Sequence, residues 1–226
     1  VTPPRDLVVV GAGEHARVVA EAARASGAWR PTGYTDRLDG TFADRPPEVD
    51  GRALPRLGTD EALAARLAGL PAGDRPWLVL GFGGPPAARA HAVAAFGPQA
   101  RWGTVVHPTA WVSPTAALGV GVVVLAGAVV NTGAVLDDHA IVNSGVVVEH
   151  DARVGAHAHV APGATVGGGA TIGAGAFVGL GAAVRDHVRV GDGATVGMGA
   201  AVVDDVADDA LVVGVPARPR TDPSRG

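Results

Sequence analysis

The chain has 226 residues, with eighteen arginines and no lysine, a net charge of −4 and no cysteine. Its length allows one or two domains, the lack of cysteine excludes disulfides and thiolate metal sites, and the mildly acidic balance leaves no basic footprint for nucleic acid. No apolar run approaches a membrane span and Val1-Thr2-Pro3-Pro4-Arg5-Asp6 lacks a signal-peptide layout, so the expectation is a soluble, cytoplasmic protein.

From the N-terminus, Leu7-Val8-Val9-Val10 is an apolar run of buried-strand type. It leads into Gly11-Ala12-Gly13-Glu14-His15-Ala16 and a helical stretch from Ala16 to Ala25, stopped by Gly27. Strand, glycine turn and helix form the arrangement in which free N–H groups at a helix N-terminus receive a phosphate. The turn reads G-x-G-x-x-A, a variant of the dinucleotide fingerprint. Gly11, Gly13 and His15 are therefore candidate ligands for a phosphorylated substrate. A second strand is expected over Pro31 to Thr35, ending at Asp36-Arg37. A carboxylate twenty-five residues past Gly11 stands where such domains contact a ribose, so Asp36 and Arg37 join the candidates.

A loop rich in proline and charge, Asp39 to Arg56, and a helix near Asp60 to Leu67 come next. After them the pattern predicts a strand at Trp77 to Leu80, a turn at Gly81-Phe82-Gly83-Gly84 and a helix from about Ala87 to Phe96. Gly81 is a further candidate at the substrate. A full dinucleotide fold needs two mononucleotide-binding halves. Only one half is present, suited to one nucleotide.

The second half of the chain is written in sixes. From Val112 to Val202, sixteen successive positions six apart are aliphatic, and four residues after each stands Ala or Val, from Ala116 through Val206. A period of six fits neither an amphipathic helix nor an ordinary half-buried strand. It fits hexapeptide-repeat solenoids, in which short strands and tight turns wind a β-helix. The expected division is a nucleotide-binding domain over 1–105, a β-helix over 106–215 and a tail over 216–226.

A half-Rossmann domain followed by hexads resembles the bacterial sugar acetyltransferases of the PglD/NeuD type, members of the hexapeptide-repeat acyltransferases. The resemblance is carried by Val8 to Ala16, Tyr34 to Arg37, His107-Pro108, Asn143 to His159 and Gly214-Val215-Pro216-Ala217. It implies a left-handed parallel β-helix with three faces and eighteen residues per coil, so that residues eighteen apart stack at about the 4.8 Å strand spacing. It also implies a homotrimer with active sites between neighbouring β-helices. The N-terminal domain would hold the nucleotide of a nucleotide-linked amino sugar, and the β-helix would bind acetyl-CoA.

The chemistry concentrates in Asn143-Ser144-Gly145-Val146-Val147-Val148-Glu149-His150-Asp151. Moving an acetyl group from a thioester to an amine requires the amine's proton to be taken, and histidine titrates in the range for that task. His150 falls at the third hexad position, away from the inward slot, between two carboxylates, and either Glu149 or Asp151 can hold its tautomer. The resemblance points to Asp151, where many relatives carry glutamate. By the same resemblance Asn143 hydrogen-bonds the substrate amine, and His159 lies near the acetyl group with Phe177 one coil above. Gly168, within Gly167-Gly168-Gly169, lets cofactor and backbone approach, and an N–H there can stabilise an oxyanion. Arg218 and Arg220 in the tail are candidates for the phosphates of CoA. His139, His157 and His187 share the fourth position and read as surface residues.

The expected activity is acetyl-CoA-dependent N-acetylation of a nucleotide-activated amino sugar, with His150 as general base and no metal. The alternatives are O-acetylation of a sialic acid-like sugar and a non-catalytic nucleotide-sugar binding protein. A zinc carbonic anhydrase shares the solenoid but needs three converging histidines, and His150, His157 and His159 stand at three different hexad phases.

Overall fold

The computed structural model describes residues 3–36, 46–98 and 100–220. The chain divides into two compact units, Val1–Pro108 and Thr109–Gly226. Among the described residues no helix is long and apolar enough to cross a membrane.

In the first unit β1 (Arg5–Val10) is the middle strand of a three-stranded parallel sheet, flanked by β2 (Trp29–Tyr34) and by a strand at Trp77–Leu80. Helix α1 (Glu14–Ala25) connects the first two strands and buries an alanine-rich stripe, Ala16, Val19, Ala20 and Ala23. Small residues let it lie close to the sheet. A Cβ added to Gly81, just past the third strand, would collide with Val9 and with Ala16 of α1. The charged loop expected from Asp39 to Arg56 contains a short hairpin, β3 (Glu48–Val49) and β4 (Arg52–Ala53). Its turn residues, Asp50 and Gly51, both have positive φ, which is the Asp-Gly signature of a two-residue hairpin. The Trp77–Leu80 strand is therefore β5. Helices α2 (Asp60–Ala68) and α3 (Pro86–Phe96) complete the unit. Thr59 caps α2 by accepting from the Ala62 N–H at 3.2 Å. Leu63, Leu67, Ala92 and Phe96 from these helices form one core with Val8, Val10, Leu78 and Leu80.

The second unit is a left-handed parallel β-helix of two-residue strands. Strands eighteen residues apart pair in register: Trp111, Val129, Val147, Thr165, Ala183 and Ala201 run up the first face. Ala117, Val135, Arg153, Thr171 and Arg189 run up the second. Val123, Ile141, His159, Phe177 and Thr195 run up the third. The aliphatic residue of each hexad points into a narrow prism, joined at the corner by the Ala or Val four residues later, and nearly all are fully buried. The interior has room for Val and Ala and little else, which accounts for the scarcity of aromatic residues.

Each corner turns at the fourth hexad position. From Gly121 to Gly199 every such residue has φ between 57 and 70°, ten of them glycine and the others His139, Asp151, His157 and His187. That region costs a side-chain-bearing residue roughly 1–2 kcal/mol, so glycine dominates. Where a side chain is present it folds down onto the coil below. His139 lies against Gly121, Asp151 against Gly133 and His187 against Gly169. This corrects the surface reading of the histidines. His139 is buried and stacks in parallel on the half-buried His157, with ring centroids 5.1 Å apart; of the three, only His187 is exposed.

The hexad count also fails once. Val190 pairs with Val206, and Thr195 with Leu211, sixteen residues apart rather than eighteen. Two residues are lost after Val202, so Val206 fills the inward strand position of the next face, not the corner position that counting assigns it. The chain then closes on itself, with Leu211–Val213 antiparallel to Arg218–Pro219.

Candidate active site

His150 stands on the corner between the first and second faces, after the Val147–Val148 strand and before Arg153–Val154. Its Nδ1 lies 3.0 Å from Oδ2 of Asp151, and both side chains are open, at 61% and 71% exposure. Asp151 itself takes the left-handed turn, and its Oδ1 lies against Gly133 on the coil below while Oδ2 meets the ring. Glu149 is engaged elsewhere. Its Oε2 accepts from Asn131 Nδ2, one coil earlier, at 3.1 Å, and from the His150 backbone N–H at 3.3 Å. Of the two carboxylates, Asp151 is thus the one on the ring, and Asn131 is a residue that sequence reasoning missed. The hydrogen bond to Asp151 raises the His150 pKa above its ordinary value, opposed by desolvation and helped by the charges of Asp151 and Glu149. With Nδ1–H donating to Asp151, Nε2 is the nitrogen that can take a proton. It faces Gly168 on the coil above, where an added Cβ would come within 2.6 Å of it.

Asn143 and His159 form a second cluster. The Ser144 N–H donates to Asn143 Oδ1 at 2.8 Å, which orients the amide and turns Nδ2 toward His159 Nε2 at 3.1 Å. An amide nitrogen only donates, so the contact fits the tautomer in which His159 Nε2 accepts. Phe177, stacked eighteen residues above, meets the imidazole edge to face with centroids 5.3 Å apart. Asn143 is buried and sits where the third face turns into the first. The whole first face therefore separates this cluster from His150 within one chain. The structure brings together Asn143, His159 and Phe177, and separately His150, Asp151 and Gly168.

In the first unit, the Gly11 N–H donates to Thr35 Oγ1 at 3.0 Å, and the Phe82 ring packs on Gly11, 2.9 Å from where a Cβ would stand. Gly11, at φ 108°, needs glycine for both reasons. Gly13 caps α1 with open space around it, and His15 is the second residue of the helix, half-buried. Thr35 and Phe82 were not singled out by the motif; only their place beside the second strand and the second glycine turn marks them. Asp36 is buried at 3% exposure, with Arg56 Nε 4.0 Å from its carboxylate. Gly81 is a packing glycine, wedged between β1 and α1. Arg37 lies outside the described residues. Arg218 is exposed and donates to the Ala217 carbonyl at 2.9 Å, with Asp204 at 3.5 Å. Among the described residues no group of His, Asp or Glu side chains is placed to hold a metal ion.

A family model of the PglD N-terminal domain matches residues 6–69. Among solved structures, the acetyltransferase domain of PglB from Neisseria gonorrhoeae is 37% identical with a TM-score of 0.82, and the match covers 96% of this chain and 100% of that one. The same domain in complex with acetyl coenzyme A is matched at 36% identity and a TM-score of 0.83, with the same coverage. PerB from Caulobacter crescentus, in complex with CoA and GDP-perosamine, is 36% identical with a TM-score of 0.81, over 96% of this chain and 97% of that one. No curated protein matches the chain.

Proposed function

We infer the reaction from one premise: this chain belongs to the PglD-type family of hexapeptide-repeat sugar acetyltransferases, and it is an acetyl-CoA-dependent enzyme of that family. The acceptor we assign is the amino group of a nucleotide-linked sugar. Its support is the similarity to a protein that holds CoA with an amino-sugar nucleotide, together with a glycine turn at the start of α1 suited to a diphosphate.

The observation that carries the mechanism is the His150–Asp151 pair on an open corner of the β-helix. The amine lone pair attacks the thioester carbonyl, and the nitrogen's proton passes to His150 Nε2. Asp151 holds the ring in the tautomer that leaves Nε2 free and stabilises the imidazolium. A backbone N–H near Gly168 faces the oxyanion. The tetrahedral intermediate then expels the CoA thiolate, which takes the proton from His150, and an amide remains. Asn143 positions the amine, and His159 with Phe177 forms the wall near the acetyl group.

One chain cannot assemble these parts, because the first face lies between His150 and Asn143. We therefore assign the working enzyme as a homotrimer in which His150 of one copy meets Asn143 and His159 of the next. Light scattering that finds a fully active monomer contradicts this.

The acceptor is tested with a panel of UDP-, dTDP-, GDP- and CMP-linked amino sugars, following CoA release and product mass. One nucleotide is expected to support transfer, giving an acetyl group that survives mild alkali as an amide does. An alkali-labile ester, or CoA release independent of any sugar nucleotide, would place the activity elsewhere.

A further inference from the structure

The end of the first unit opposite the glycine turn carries a cavity of about 630 Å³ that the acetyl-transfer reaction does not use. It opens where β1 and β5 begin, at Arg5 and Trp77, whereas Gly11 and Gly81 lie at the other ends of those strands. Its floor is apolar, formed by Val8 of the sheet and by Leu63 and Leu67 of α2. Its rim carries four guanidinium groups, those of Arg5, Arg66, Arg75 and Arg101.

Two of these arginines are held in place by aromatic rings. The Arg5 guanidinium carbon lies 4.0 Å from the ring centroid of Trp29 and 5.0 Å from that of Trp77. Arg101 lies 4.3 Å from Trp77. Stacking fixes the plane of a guanidinium and leaves its in-plane donors to point outward. Backbone carbonyls orient Arg66, Arg75 and, a second time, Arg101, and an accepting carbonyl carries no full charge of its own. Arg66 donates to Leu57, Arg75 to Leu70 and Arg101 to Arg75. Of the two carboxylates on the rim, Asp6 is engaged by Arg30, which does not line the cavity, at 2.6 Å. The other is Asp74. The cavity thus presents an excess of pre-oriented forked donors above an apolar floor.

We propose that this cavity is a second ligand site, specific for an organic phosphate whose apolar body rests on Val8, Leu63 and Leu67 and whose phosphate is held by Arg5, Arg66 and Arg101. A carboxylate is matched by one guanidinium fork. Several forks around one opening match a dianion with three terminal oxygens. The site is built from the first unit alone and lies at the other end of its sheet from the glycine turn, so its occupant is a different molecule from the nucleotide assigned to that turn.

The test is isothermal titration of the full chain with 1-naphthyl phosphate, with 1-naphthol and 1-naphthoate as controls. Loss of one charge-assisted hydrogen-bonded contact weakens binding by roughly tenfold, so naphthol and naphthoate are each expected to bind at least that much more weakly. Arg5→Gln combined with Arg101→Gln is expected to weaken naphthyl phosphate binding by more than tenfold while leaving kcat for acetyl transfer unchanged. Because these two arginines also pack on tryptophans, Arg66→Gln, on an exposed helix position, provides a variant that leaves the stacking intact and is expected to weaken binding as well. No binding, equal binding by naphthol or naphthoate, or full affinity in Arg66→Gln would overturn the assignment.

Discussion

His150→Ala is expected to lower kcat by about 10²–10⁴-fold, the usual contribution of a positioned general base, while the KM for acetyl-CoA changes little. The side chain is exposed, and among the described residues its side-chain partner is Asp151. Exposed substitutions of this kind stay within roughly 0.5 kcal/mol in stability, so a rate loss of that size reports chemistry and not folding. If the base collects the proton as nitrogen attacks, raising the pH supplies neutral amine and recovers part of the lost rate. A kcat near wild type at pH 7 in this variant would mean that the proton leaves to water or to His159.

Two glycines on the β-helix separate the geometry of the base from the stability of the scaffold. A Cβ at Gly155 would stand 2.6 Å from the backbone nitrogen of Ala174 and 2.7 Å from the carbonyl carbon of Gly173. Neither atom can move without displacing a coil. Gly155→Ala is therefore expected to destabilise the protein by about 1–3 kcal/mol, as overpacking does. The three atoms nearest to a Cβ at Gly168 all belong to the His150 ring, with Nε2 at 2.6 Å. That ring is the far end of an exposed side chain and swings away at little cost. Gly168→Ala is expected to keep the wild-type denaturation midpoint and lose about 10²-fold in kcat, since a misplacement near 1 Å costs on that order. Denaturant titration and initial rates on the two variants check both halves. A stability loss in Gly168→Ala equal to that in Gly155→Ala would show that the His150 ring cannot swing aside, and an unchanged kcat would show that it is not held against the coil above.

Much of this was legible in the residues. The unbroken aliphatic positions from Val112 to Val202 dictate the solenoid, because only a six-residue repeat puts all of them inside. Strand, glycine turn and helix were equally plain from Leu7 to Ala25, since the periods and the breakers agree. What escaped depends on the third dimension. His139 was read as a surface residue because its hexad position is outward; its burial comes from a left-handed turn that lays the ring on Gly121. The residues alone left Glu149 and Asp151 equivalent beside His150, and only the resemblance favoured Asp151; the engagement of Glu149 by Asn131, eighteen residues before it, depends on the coil. The deletion after Val202 is invisible to a count of sixes, because Val206 is apolar in either register. The Asp50-Gly51 hairpin carried its signal openly, but the surrounding prolines and charges read as loop.

The separation of His150 from Asn143 by a full face of the prism is likewise a consequence of coil closure. They stand seven positions apart in sequence, yet they occupy different corners. The short stretch that carries both residues is folded so that, within one chain, they stand on different sides of the first face.

The most direct measurement is the pH dependence of kcat/KM for the wild type and for Asp151→Asn, taken side by side. A base acts only when neutral, so activity falls as pH drops through the His150 pKa. The hydrogen bond and charge of Asp151 raise that pKa above the ordinary histidine value, so the acid limb of the wild-type profile is expected to be displaced upward. Asp151→Asn removes the main cause of the rise. Its acid limb is expected to move to lower pH, with a reduced plateau, while the limb set by the substrate amine stays where it was. An acid limb that does not move, in a variant with unchanged KM for acetyl-CoA, would contradict His150, held by Asp151, as the base.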